Sequence, residues 1–144
     1  MADTLRPEVV YLVDDDSSIR KSVARLLEAS GYRVEAFSQP EGFLRHLAAH
    51  SVAVAVLDIW MEKMTGMEVL AHLCARSPET RTIFITGHED HAAEAVVMSA
   101  GAFAFLLKPL DANRFLDAVH RAFALGYSME QRLSPPSAPA RLRK

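Results

Sequence analysis

The stretch Val52-Ala53-Val54-Ala55-Val56-Leu57, followed directly by Asp58, is six apolar residues without a polar interruption. A strand with one wet face alternates apolar and polar side chains, whereas a parallel strand covered on both faces reads as a continuous apolar run. Six residues are too few for an ordinary helix, and the run ends abruptly at a carboxylate. It is read as a strand buried on both sides, which demands a layer of helices above it and another below.

The surrounding chain supplies those layers. Short apolar, β-branched runs also occur at 9–13, 32–37 (YRVEAF), 82–86 (TIFIT) and 102–107 (AFAFLL). Helical patterns lie between them. The first, Ser17 to Ser30, carries Ile19, Val23, Leu26 and Leu27 and stops at Gly31, a favoured residue just past a helix end. The second starts at SQPE, with Ser38 and Glu41 as a capping box, and the third at TGME, with Thr65 and Glu68 in the same roles. The fourth runs from about Asp90 to Ala100 before Gly101; the fifth starts at Asp111, carries Phe115, Leu116, Val119 and Phe123, and ends near Gly126. Strand-helix alternation repeated five times predicts a doubly wound α/β fold on a five-stranded parallel sheet.

Composition narrows the function. The 144 residues are half hydrophobic and about a quarter charged, the profile of one globular domain with short tails. No apolar stretch approaches the roughly 18 residues of a membrane span, and MADTLRPE lacks a secretory core, so the protein is expected in the cytoplasm and off the membrane. Cys74, the single cysteine, excludes an internal disulfide and, beside Leu70, Ala71 and Leu73, is expected to be a small buried side chain. Residues 1–131 carry 12 Lys+Arg against 18 Asp+Glu, a net −6, while 132–144 carry four basic residues and no acid. An acidic body argues against a nucleic-acid surface. The Pro-, Ser- and Ala-rich SPPSAPARLRK places the domain at 8–126 and a linker or disordered tail at 127–144. The six glycines form neither a dinucleotide-binding nor a P-loop pattern.

Doubly wound sheets bind ligands at the carboxyl ends of their strands. The first strand is followed there by Asp14, Asp15 and Asp16, the third by Asp58; the fourth ends in Thr86, and Lys108-Pro109 follows the fifth. Asp16, directly before a helix, is read as its N-cap. Three carboxylates, a hydroxyl and an ammonium thus converge on one rim. Oxygen ligands without His or Cys favour a hard cation such as Mg²⁺, which would neutralise the clustered charge. The chemistry that suits this set is phosphoryl transfer onto Asp58, with Mg²⁺ on Asp14 and Asp15, Lys108 and Thr86 balancing charge on the transferring group.

YLVDDD, LDIWMEKMTGMEVL, IFITGH and GAFAFLLKPL, in this order and spacing, resemble the receiver domains of bacterial two-component response regulators over about residues 8–126, most of all the FixJ-type branch. The resemblance implies a flavodoxin-like (CheY-like) (βα)5 fold with strand order 2-1-3-4-5. It implies an acidic pair at Asp14 and Asp15, phosphorylation at Asp58 by a sensor histidine kinase, and a Mg²⁺ ion that also takes the backbone carbonyl of Trp60. Thr86 would be the switch hydroxyl, Lys108 the phosphate-contacting lysine and Phe105 the aromatic switch residue, with a cis bond between Lys108 and Pro109. Phosphorylation would alter the surface of the fourth helix, fifth strand and fifth helix, which in this branch commonly forms a homodimer. Such a protein is no enzyme beyond its own phosphorylation and dephosphorylation.

Two other functions would leave different marks on the sequence. An aspartyl-phosphate phosphohydrolase would carry a second Asp two residues after Asp58, where Trp60 stands. A phosphorylation-independent binding module would keep the fold without labelling; Glu62, where the family usually has proline, leaves that reading open by changing the loop beside the metal. Trp60 and His88 are expected to flank the approach to Asp58 and to slow loss of phosphate from it.

Overall fold

A computed structural model describes residues 8–133, with side chains to residue 125. Five strands alternate with five helices: β1 Val9–Val13, α1 Ser17–Ala29, β2 Arg33–Phe37, α2 Pro40–Leu47, β3 Val54–Asp58, α3 Gly66–Arg76, β4 Arg81–Thr86, α4 His91–Ser99, β5 Ala104–Leu107 and α5 Ala112–Leu133. The sheet is parallel throughout, in the order β2-β1-β3-β4-β5.

All five residues of β3 are buried, and alternation along the inner strands explains why its apolar run is unbroken. Tyr11, Val13, Ala55, Leu57 and Phe84 face one core with Phe43 and Leu47 of α2, Val69 and Leu73 of α3 and Val97 of α4. Val10, Leu12, Val54, Val56, Ile83 and Ile85 face the other, with Val23 and Leu27 of α1 and Phe115, Val119 and Ala122 of α5. Side chains of a strand alternate between faces, so two cores require apolar residues at every position.

Helix boundaries follow local chemistry. The Asp16 side chain accepts hydrogen bonds from Ser18 N and Ile19 N at the start of α1, and Thr65 and Glu68 form a reciprocal capping box on α3. Gly31 and Gly101 adopt φ of 96° and 106° just past α1 and α4, where any side chain would be strained.

The expected box of Ser38 and Glu41 is absent. Pro40 takes the first turn and holds Gln39 extended (φ −132°, ψ 136°), so Gln39 becomes the N-cap, without a side-chain cap bond. The third strand starts at Val54, because the Val52 carbonyl accepts the Thr80 hydroxyl at 2.7 Å. Cys74 is exposed, since α3 turns Val69, Leu70 and Leu73 inward and the next residue lies about 100° away. His46 of α2 is part-buried: its Nε2 lies 3.3 Å from the Tyr11 hydroxyl and its ring stacks on His50. The fifth helix does not stop at Gly126 but runs to Leu133, a glycine being tolerated inside a helix at a cost of about 1 kcal/mol. Residues 134–144 of the expected tail lie outside the described residues.

Gly66 ties fold to site. Its N–H donates to the Ile59 carbonyl at 2.7 Å, and a Cβ at this position would run into the Asp58 backbone carbonyl and stand 2.9 Å from the Phe84 ring. Gly66→Ala is therefore expected to lower unfolding free energy by about 1–3 kcal/mol, read by urea denaturation. An unchanged midpoint would contradict this packing.

Candidate functional site

The chain leaves β1 for β2 on one side and later returns to β3 on the other, so the carboxyl ends of β1 and β3 lie side by side at the point where strand order reverses. Asp14 and Asp58 occupy these two ends. Asp14 is fully buried and each of its polar groups is engaged. Its N–H donates to Phe37 O at 3.2 Å, its Oδ1 accepts Asp16 N–H at 2.9 Å, and its Oδ2 accepts Lys108 Nζ at 3.0 Å. Its carbonyl accepts Arg20 Nη1 at 2.8 Å, a contact from the first turn of α1.

Asp58 is 6% exposed, and its Oδ2 lies 3.6 Å from the same Lys108 ammonium. Asp15 is exposed, yet its carboxylate joins Asp14 and Asp58 in a cluster in which one oxygen from each residue lies within 4.8 Å of the others. No other such group of potential metal ligands occurs among the described residues. One ammonium faces three carboxylates, all hard oxygen donors without His or Cys, so the set fits a hard divalent cation.

Thr86 ends β4, buried, with its Oγ1 accepting the His88 N–H at 3.3 Å and its carbonyl accepting the Lys108 N–H at 2.7 Å. That second bond aligns the backbone from which the lysine reaches the acids. The Lys108-Pro109 peptide is cis. Phe105 is half-buried in β5 and packs against the core that includes Phe84 and Val97. Trp60 is 43% exposed, and its backbone N–H donates to the Asp58 carboxylate. His88 and Glu62 are exposed. Asp16 points away from the cluster into its capping bonds, which hold its carboxyl below the usual range, chiefly through the Ser18 hydroxyl.

Burial, and then the charge of Asp14, push the Asp58 carboxyl up to about 6, against the opposing pull of Lys108 and the Trp60 N–H; Asp15 adds to the rise. Arg20 was not legible as a site residue. SSIRK read only as a helix start, and a donor to a main-chain carbonyl leaves no pattern in side-chain spacing.

Residues 10–120 match the response regulator receiver domain, and the chain belongs to that family. FixJ of Azorhizobium caulinodans is 36% identical over 122 residues, covering 85% of this chain and 57% of that protein. FixJ of Rhizobium meliloti is 34% identical over 113 residues, covering 78% and 55%. The chain spans a little over half the length of these two relatives, and a quarter of DctD of Rhizobium meliloti, which is 32% identical over 113 residues covering 78% of this chain. Among solved structures, response regulator StyR superposes with a TM-score of 0.80 at 35% identity, over 88% of this chain and 64% of that one. The beryllofluoride-activated receiver domain dimer of NtrC4 superposes with 0.78 at 30%, over 82% and 98%. The strand order and helix placement are those of CheY-like receivers. No helix among the described residues is long and apolar enough to cross a membrane.

The raised carboxyl fixes the sign of a pH dependence. Between the unfolded value near 4 and the folded value of about 6, the folded state binds more protons than the unfolded chain. The contribution of Asp58 to stability is thus greatest below pH 4 and is lost as pH rises through 6. In chelator, Asp58→Asn is expected to unfold at higher urea than wild type at pH 7.5, with the difference shrinking toward pH 4.5. Equal midpoints at both pH values would contradict the assignment.

Proposed function

We propose that this receiver accepts a phosphoryl group onto Asp58 from the phosphohistidine of a sensor histidine kinase. The observation that supports this best is the position of Asp58: a buried carboxylate at the topological switch point, between two further carboxylates and 3.6 Å from an ammonium. An Asp58 oxygen attacks phosphorus, the O–P bond forms as the N–P bond breaks, and the imidazole leaves with a proton from solvent. A carboxyl held near 6 is largely ionised at neutral pH yet more basic than a free aspartate, which suits a nucleophile.

Asp14, Asp15 and Asp58, with the Trp60 carbonyl, would hold Mg²⁺, which when bound supplies neutralising charge to the transferring oxygens. Lys108 already spans Asp14 and Asp58 and needs only a small shift to meet a phosphate on Asp58. The Thr86 hydroxyl accepts from His88 N–H and keeps its own proton to donate to that phosphate. Movement of Thr86 opens space toward Phe105, two strand positions from Thr86's partner Leu107.

The readout surface lies next to this path. A groove of about 340 Å³ between α4, β5 and α5 has Phe105, Leu106, Leu107 and Pro109 among its lining residues, and Val96, Met98 and Leu107 are exposed nearby on α4 and β5. The beryllofluoride-activated receiver domain of NtrC4 is a dimer, which supports a phosphorylation-dependent homodimer here, and this exposed apolar surface would be its contact.

With Mg²⁺ and a small acyl phosphate donor, the intact mass is expected to rise by one phosphate in wild type, and not in Asp58→Ala or in excess chelator. No labelling of wild type would favour a phosphorylation-independent binding module. Trp60 and His88 stand two residues beyond Asp58 and Thr86, both exposed at the rim. The Trp60→Ala, His88→Ala double variant is expected to lose its phosphate several-fold faster; a slower loss would show that these side chains do not shield it.

A further inference from the structure

Asp15 is the exposed member of the carboxylate cluster, and among the described residues its side chain takes no hydrogen bond. Repulsion from Asp14 and Asp58 pushes it outward. Its backbone must hold it in place, and that backbone is gripped from one direction that the site chemistry does not use. Arg20 Nη1 donates to the Asp14 carbonyl at 2.8 Å, and the planar peptide makes that bond set the Asp15 N–H and Cα as well.

Arg20 is well placed for this. Its own N–H donates to the Asp16 carbonyl at 3.0 Å, opening the α1 hydrogen-bond ladder, so its side chain is anchored to the helix that Asp16 caps. The chain from Asp14 to Arg20 thus closes on itself through one side-chain bond and one main-chain bond. No ion pair joins Arg20 to a carboxylate among the described residues, so the contact acts through geometry rather than charge. A planar guanidinium donates along a fixed direction, which a flexible ammonium does not.

We propose that Arg20 is a positioning residue for the cation site, orienting the Asp14-Asp15 peptide so that the Asp15 carboxylate stays with Asp14 and Asp58. This rests on the reading of that cluster as a Mg²⁺ site. Outer contacts that orient a ligand are typically worth 10–100-fold in metal affinity, and for a single backbone contact the low end applies.

Trp60, the only tryptophan, sits beside Asp58, so its fluorescence is the probe for Mg²⁺ titration. Arg20→Met, which keeps the stem and removes the donor, is expected to weaken Mg²⁺ binding about tenfold, while the phosphorylation rate at saturating Mg²⁺ stays within twofold of wild type. In the metal-free protein, the Asp15 amide resonance should shift by NMR, since its peptide carbonyl loses the Arg20 donor. Arg25→Met, exposed on the same helix, should change neither. Arg20→Lys should lose about threefold, and it decides the matter if Arg20→Met does not fold. Wild-type affinity in a folded Arg20 variant, or the same loss in Arg25→Met, overturns the proposal. If wild type itself shows no Mg²⁺ titration, the reading of the cluster fails, and an unchanged Asp15 amide resonance would then dismiss the positioning role separately.

Discussion

Everything at the carboxyl rim of this sheet depends on one imbalance of charge: a single ammonium, Lys108, against the carboxylates of Asp14, Asp15 and Asp58. Lys108 satisfies the fully buried Asp14 at 3.0 Å and reaches Asp58 only at 3.6 Å, so Asp58 is the less compensated of the two. Unpaired charge in a buried setting is expensive, and in the proposed function a dication and a phosphate would offset it. The neighbouring elements serve that arrangement. The bond from Lys108 N–H to Thr86 O aligns the lysine, Gly66 lets the loop after β3 lie against Asp58, and Asp16 turns its own charge away into the cap of α1.

The same imbalance would link the proposed chemistry to signalling. In the proposed function, a phosphate on Asp58 would give Lys108 and Thr86 a stronger partner than either has at rest, and Lys108 directly follows β5. Thr86 ends the strand that pairs with β5, and Phe105 of β5 packs into the core beneath α4. Closely packed interiors respond to such a shift by switching arrangement rather than by flexing.

Much of this was legible in the sequence because it rests on periodicity and on position after a strand. Two-sided burial was legible in VAVAVL and holds from Val54 to Leu57, though not at the exposed Ala53, and the rim residues followed from asking what succeeds each strand. What was hidden depends on contacts distant in sequence or on competing local rules. Pro40 overrode the Ser38 cap, the rotation of α3 exposed Cys74, and the Thr80 hydroxyl took the Val52 carbonyl that a longer strand would have used. Arg20 was hidden for a different reason, because its partner is a main-chain oxygen. The charge state of Asp58 likewise depends on burial, which no spacing reports.

A crystal structure grown with Mg²⁺ and beryllofluoride tests the central claim most directly. The account predicts a beryllofluoride adduct on the Asp58 carboxylate, a Mg²⁺ ion bound by the acidic cluster and the Trp60 carbonyl, and Lys108 and Thr86 both bonded to the adduct. An adduct on another carboxylate, or a cluster that stays free of metal at saturating Mg²⁺, would contradict it.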